Sequence, residues 1–433
     1  MVRRAACIAL IAAAPACRSS ASDPLGLPDA YLLFAPTYDG AGHTRRGPSG
    51  LAVVEALALD DSRAVPLHKL FAVGFAAELL RTDYLRKQFV REAQAAPAGG
   101  KAFSAAARAA AAEPTVFVLG GDPTAPLDAT GGRGLATTGF FGGATERPAV
   151  PWIAVPASPE NDTALTQTVS ARLGRSIAAA LAAGGVPTPG AAAPAAPAAA
   201  ATARMAAPSP AAPEALIAGY ASAMEVIARE WRVGDGPRGT LAPDAGTAAQ
   251  RALFADVRQN RFVMRPADGG PAQLRSGAEM LQEPGVAATV IYRMAQSKGI
   301  GHRVAPSEVY APFVSERVPN GISPAAVLGP FRNFQAKLIA AWSRAVLRGA
   351  PPRDIADLIN AYATELPGER AEVIRLFVVT TYAATVKPGG VALASSTAAG
   401  GGKAGDPLPE LTALAAEVAA GRRSLRGAVD TAN

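Results

Sequence analysis

The stretch from Gly184 to Pro213, GGVPTPGAAAPAAPAAAATARMAAPSPAAP, constrains the fold of this chain more than any other. Proline recurs every few residues among alanine and glycine. Each proline fixes φ and withholds a backbone donor, so the helix propensity of the alanines cannot be realised across the segment. The composition predicts an extended, semi-rigid spacer that rises about 3.1 Å per residue. It divides the 433 residues into halves of different character, and a chain of this length is expected to hold two or three domains.

Residues 29–183 alternate between strand and helix patterns. Tyr31 to Ala35 is an apolar run stopped by Pro36, Thr115 to Leu119 is another stopped by Gly120 and Gly121, and Trp152 to Val155 is a third. Short continuous apolar runs of this kind predict buried parallel strands. Between the first two, Leu67 to Arg91 places Leu70, Val73, Phe75, Ala77, Leu80, Leu85 and Phe89 on one helical stripe, and a second helix is predicted from Asp162 to Ala183. The alternation predicts an α/β domain with a mainly parallel sheet.

Residues 214–385 change period. Glu214 to Arg232, Ala245 to Asn260, Arg275 to Lys298, Pro324 to Arg348, Arg353 to Glu365 and Glu369 to Thr385 all have helical spacing, which predicts an all-α domain. Pro324 and Pro352 suit first helical turns, and Gly299 and Gly349 suit helix ends. Phe331, Phe334, Leu338, Ile339 and Trp342 recur at three and four, the spacing of a packed face. Residues 386–433 are a glycine-rich tail, from Lys387 to Pro407, followed by a terminal helix from Leu408 to Ala428.

Residues 1–16 have the pattern of a signal peptide. Arg3 and Arg4 precede an apolar run from Ala5 to Ala13, and Ala14-Pro15-Ala16 is a small-residue cleavage pattern. The run is shorter than the roughly 20 residues needed to cross a bilayer. Cys17 follows at once, a placement that resembles the lipobox of bacterial lipoproteins, in which that cysteine becomes the lipidated first residue. Cys7 would leave with the leader, so the mature chain would keep one thiol and no internal disulfide. Acylation gives that thiol a role and makes the membrane a partner through the lipid alone. The expected location is the periplasmic face of a bacterial membrane in the cell envelope, with secretion as the alternative.

A formal net charge of +7 raises nucleic-acid binding as a possibility. The Lys and Arg residues are dispersed, with no basic run and no interleaved aromatics, and no nucleic-acid partner is expected. Lipid headgroups, phosphates and peptidoglycan carboxylates are the anions an exported chain would meet.

Within the first half, an apolar strand leads to Asp39-Gly40-Ala41-Gly42-His43, then to Gly47-Pro48-Ser49-Gly50-Leu51 and to Glu55. A helix, the segment Leu80-Arg81-Thr82-Asp83 and a strand ending at Gly121 follow, and then Pro148-Ala149-Val150, Ser158-Pro159-Glu160 and a last helix. This order resembles the zinc-dependent N-acetylmuramoyl-L-alanine amidases of the Amidase_3 type, which cut peptide from glycan in peptidoglycan. The resemblance implies an amidase-like α/β fold, with His43 and Glu55 as metal ligands and the Arg81 segment as a loop. The family's second histidine falls at Gly121 or Asp122, where only Asp122 offers an oxygen ligand, and no glutamate stands on the last strand between Trp152 and Ser158. Zinc hydrolysis needs three protein ligands and a base within reach of the attacking water. The domain is therefore read as a non-catalytic copy without a cofactor, working as a binding or scaffolding module for peptidoglycan or envelope proteins. The alternative is an active zinc amidase using His43, Glu55 and Asp122.

Other polar groups carry plainer readings. His43 among Gly, Thr and Arg reads as a solvent-facing loop residue, and His68 beside Lys69 as a surface residue. Gly120 to Pro123 is a strand-ending turn without a phosphate-binding glycine pattern. Ser49 lacks the Gly-x-Ser-x-Gly geometry of a nucleophile. Glu225, Glu230 and Asp235 near Trp231 read as amphipathic helix surface rather than a glycosidase acid. His302, Glu308 and Tyr310 form the densest polar cluster of the helical half, in an expected interhelical loop.

Overall fold

A computed structural model describes residues 31–58, 60–72, 74–95, 111, 114–120, 131–138, 144–155, 162–182, 212–231, 263–264, 273–274, 280–310, 328–381 and 415–427. Five strands come from the first half: β1 (Tyr31–Pro36), β2 (Val53–Ala56), β3 (Thr115–Leu119), β4 (Gly131–Thr138) and β5 (Ala144–Val155). They close in the order β1-β2-β4-β5-β3. The pairs β1/β3, β3/β5 and β2/β4 are parallel, whereas β1/β2 and β4/β5 are antiparallel. The sheet is thus mixed and curled, with three of its five pairs parallel. The three apolar runs expected as strands lie in β1, β3 and the end of β5.

Period-2 alternation explains how this sheet buries both faces. Leu33, Ala35, Phe117, Leu119, Ile153 and Val155 point one way, into the main hydrophobic core. Phe34, Val116, Val118, Trp152 and Ala154 point the other way and meet Val54, Leu135 and Val150 in a second cluster inside the curl.

The helices of the first half are α1 (Val65–Ala72), α2 (Phe75–Ala95) and α3 (Asp162–Ala182). The single helix expected from Leu67 to Arg91 is broken between α1 and α2 beside Gly74, whose φ of +98° favours glycine. Leu80 to Asp83, expected as a loop, lies inside α2.

The second half contributes α4 (Ala212–Glu230), α5 (Pro284–Gln296), α6 (Lys298–Gly301), α7 (Ser307–Tyr310), α8 (Pro330–Leu347), α9 (Ile355–Glu365) and α10 (Arg370–Thr381). It also holds a short antiparallel ribbon, β6 (Val263–Met264) with β7 (Gln273–Leu274). The ribbon corrects the all-α expectation, since β7 begins two residues before the helix expected from Arg275; of that helix, Met280 and Leu281 are helical, and after a turn α5 runs from Pro284. Gly299, expected as a stop, sits inside α6, and the helix before it ends at Gln296. Pro330 occupies the first turn of α8, whereas Pro352 precedes the N-cap of α9, Asp354, whose carboxylate accepts the Asp357 amide. Gly349 ends α8 at φ +75°, with Ala350 N–H on the Ala345 carbonyl and Gly349 N–H on that of Val346, the paired bonds of a Schellman motif. The helix expected at Ala245 to Asn260 and the start at Pro324 lie outside the described residues.

Residues 184–211 of the proline-rich segment also lie outside them, but the helices that flank it, α3 and α4, pack side by side. A Cβ on Gly174 of α3 would stand 3.0 Å from the Met224 side chain of α4. A single hydrophobic cluster runs from Phe71 and Leu79 through Leu173 and Tyr220 to Trp342 and Phe377. Phe75, Trp231 and Phe331 form an aromatic triangle with centroids 5.2–5.3 Å apart, joining α2 to the ends of α4 and α8. The composition boundary is therefore crossed by one core.

Candidate functional site

Two places gather the polar side chains of interest: the lobe that follows β1, and a buried network beneath α6. In open α/β sheets, ligands bind where loops leave the carboxyl ends of parallel strands. Here that end of β1 carries residues 37–52.

Three backbone bonds tie the lobe together: Thr37 N–H to the Val53 carbonyl (2.9 Å), Arg45 N–H to that of Thr37 (2.8 Å) and Val53 N–H to that of Arg45 (2.8 Å). Asp39 folds its tip. One carboxylate oxygen accepts the amides of Ala41 and His43, both at 2.9 Å, and Gly42 supplies the left-handed turn at φ +83°. These bonds, that from His43 foremost, hold the Asp39 carboxyl below the usual carboxylate range. At the second turn, Glu146 of β5 accepts the Ser49 amide at 2.9 Å, and hydrogen bonds from Ser49 lower its pKa. A Cβ at Gly47 would fall 2.6 Å from that carboxylate, so any side chain there would push Glu146 off its place.

The expected ligands occupy separate surroundings. His43 is exposed at the lobe tip, its Nδ1 3.7 Å from Asp39. Glu55 lies opposite Ala35 in the β1/β2 register and so shares the face of Leu33 and Ala35. Its carboxylate meets Arg63 at 3.5 Å, and Arg63 is held in turn by Asp61 at 2.7 Å. Asp122, Glu160 and the proposed lipidation residue Cys17 lie outside the described residues. Among the described residues no group of three or more His, Cys, Asp and Glu side chains could hold a metal ion.

His68 corrects its surface reading. It is half-buried, its Nδ1 2.7 Å from the Tyr31 hydroxyl, while its Nε2 is buried with no hydrogen-bond partner. Burial lowers its pKa.

The buried network is built from α8. Lys337 lies three residues beyond Phe334 on the packed face and is fully buried. Its ammonium donates to the carbonyls of Ile300 and Arg303 and to Glu369 at 2.7 Å. The other Glu369 oxygen accepts the Tyr362 hydroxyl at 2.6 Å. Asn333 donates to the carbonyls of Gly301 and Arg303 and accepts from the Tyr310 hydroxyl, which itself accepts the Ala305 amide. Desolvation pushes the Lys337 pKa down, against the opposing pull of Glu369, and pushes that of Tyr362 up.

A buried lysine of lowered pKa has the chemistry of a base or nucleophile. All three of its N–H groups are committed here, two to backbone carbonyls and one to a carboxylate. The arrangement fixes the backbone of residues 300–305 and leaves no donor for a substrate. Of the polar cluster expected there, Tyr310 joins the network, whereas His302 and Glu308 are exposed. The sequence signal for the rest was a lysine and an asparagine on an otherwise apolar helix face.

No family model, no curated protein and no solved structure matches this chain.

Proposed function

We propose that this protein is an exported, lipid-anchored component of a bacterial cell envelope that binds or scaffolds without hydrolysing. Its leader would be removed and Cys17 acylated, placing the folded domains at the periplasmic face of a membrane. Its partners would be peptidoglycan or other envelope proteins. The basic n-region, apolar run and cleavage pattern before Cys17 support export. No described helix is long and apolar enough to cross a membrane, and on this reading the acyl chains alone provide attachment.

The observation that carries the non-catalytic reading is the placement of His43 and Glu55. The histidine stands at the lobe tip against Asp39, and the glutamate, opposite Ala35 in the β1/β2 register, is paired with Arg63. Two ligands of one zinc ion must converge within a few ångströms, at bond lengths of about 2 Å.

Expression of the full chain in a bacterial host, followed by membrane fractionation and mass analysis of the N-terminal peptide, tests the anchor. The expected product begins at an acylated Cys17 and sediments with membranes, and Cys17→Ala releases it. Co-sedimentation with purified sacculi tests the binding role. Stoichiometric zinc lost on His43→Ala, together with peptide release from sacculi, would overturn the reading in favour of an amidase.

A further inference from the structure

Helix α2 carries a second buried ionic cluster, built from residues that belong to neither place described above. Asp83 stands three and four residues before Arg86 and Lys87, so all three share one helix face. Their side chains are 5%, 5% and 8% exposed. One Asp83 oxygen accepts Nε and Nη2 of Arg86, at 3.0 and 2.8 Å. The other accepts the ammonium of Lys87 at 2.8 Å and the hydroxyl of Thr115, the first residue of β3, at 2.7 Å. Lys87 also donates to the Thr115 hydroxyl oxygen at 2.9 Å. The carboxylate is saturated, and its cationic neighbours hold it ionised against burial.

The charges do not balance. Two buried cations face one carboxylate, and a third cation follows a turn later: Arg91, whose guanidinium spends Nε and Nη2 on the Ala111 carbonyl. Among the described residues, Nη1 of Arg86 is buried with no hydrogen-bond partner. Tyr220 of α4 lies close enough to feel the Asp83 charge, but its hydroxyl is committed to Gln335 of α8. A buried guanidinium edge without an acceptor is costly, and an added anion relieves that cost.

We propose that Arg86 Nη1, backed by Lys87, is the inner contact of a binding position for a small oxyanion, a carboxylate or a phosphate, at the seam of α2, the start of β3 and α4. A guanidinium presents two edges that match planar oxyanions. The Nε/Nη2 edge is occupied by Asp83, and the edge bearing Nη1 faces the ligand. Lys87 places two of its three N–H groups on Asp83 and Thr115 and adds its charge to the site. The inference does not depend on the envelope reading.

Thermal unfolding of the full chain in increasing inorganic phosphate, or in increasing acetate, tests it, with ionic strength held constant by sodium chloride. The expected result is a saturable rise in Tm in at least one series, of about 2–4 °C at ten times the half-saturating concentration. Saturation by acetate alone identifies a carboxylate ligand, and by phosphate alone a phosphate ligand. The rise is lost in Arg86→Met. If that variant does not fold, Arg86→Lys keeps the charge, loses the planar edge, and weakens the half-saturating concentration tenfold or more. No saturable rise in the wild type, or an equal rise in wild type and variant, overturns the proposal.

Discussion

Lys337 donates to Glu369 at 2.7 Å with neither side chain more than 3% exposed. The pair sits between α8 and the turn that leads into α10, and through the Ile300 and Arg303 carbonyls it also fixes α6 and the residues after it. Removing one partner leaves the other buried and charged. Lys337→Met is therefore expected to lower unfolding free energy by about 3–5 kcal/mol, read from urea midpoints. Lys337→Met combined with Glu369→Leu is expected to recover part of that loss, because an apolar pair carries no desolvation cost.

Glu78 on α2 accepts two hydrogen bonds from Arg332 on α8, and another from Arg81. This is a direct tie across the composition boundary. A double-mutant cycle of Glu78→Ala and Arg332→Ala is expected to give a coupling energy of about 0.5–3 kcal/mol. A coupling near zero would mean that the shared apolar core holds the halves together without help from this ion pair.

Gly219 marks the closest approach of α4 to α5. A Cβ there would stand 2.5 Å from that of Ala287 and 2.8 Å from the Pro284 carbonyl oxygen. Alanine is the better helix former in isolation by about 1 kcal/mol. Gly219→Ala is nonetheless expected to destabilise by about 1–3 kcal/mol, because the helices must move apart. Calorimetric comparison with Gly299→Ala, whose nearest neighbour would be 3.6 Å away, separates crowding from propensity.

His68 gives the fold a dependence on pH. Its folded pKa is lowered from the ordinary 6.5 by burial, so the unfolded chain takes up the proton first. Its contribution is complete above about pH 6.5 and is lost progressively as pH falls from there toward the folded value, since protonation favours the unfolded state in that window. Urea midpoints of the wild type and His68→Gln, measured from pH 7.5 to pH 5, are expected to converge as pH falls. Parallel curves would mean that His68 titrates as it does in the unfolded chain.

The strands that could be read from the sequence were those whose apolar runs are continuous: Tyr31 to Ala35, Thr115 to Leu119 and Trp152 to Val155. The strands that could not be read lacked that signal. β2 is four residues, and β4 carries three glycines in Gly131-Gly132-Arg133-Gly134. The start of β5 contains Pro148 and Pro151, residues that argue against a strand. It is tolerated beside the shift of register between Arg133 and Leu135 of β4. Among the described residues the longer helices were legible from period alone, apart from the breaks at Gly74 and Ser297 and the ribbon at Gln273. Burial of Lys337, Glu369, Asp83 and Arg86 was not legible, because it depends on which helix faces meet. The same holds for the pairing of Glu55 with Arg63, which depends on how the segment after β2 folds back.

Each of the five main strands has a hydrogen-bonded neighbour on both sides. Where both neighbours are paired, as along β1 and β3, a visiting peptide finds no vacant ladder to extend. At those stretches a partner would have to be held by side chains, through local shape and charge rather than generic main-chain pairing.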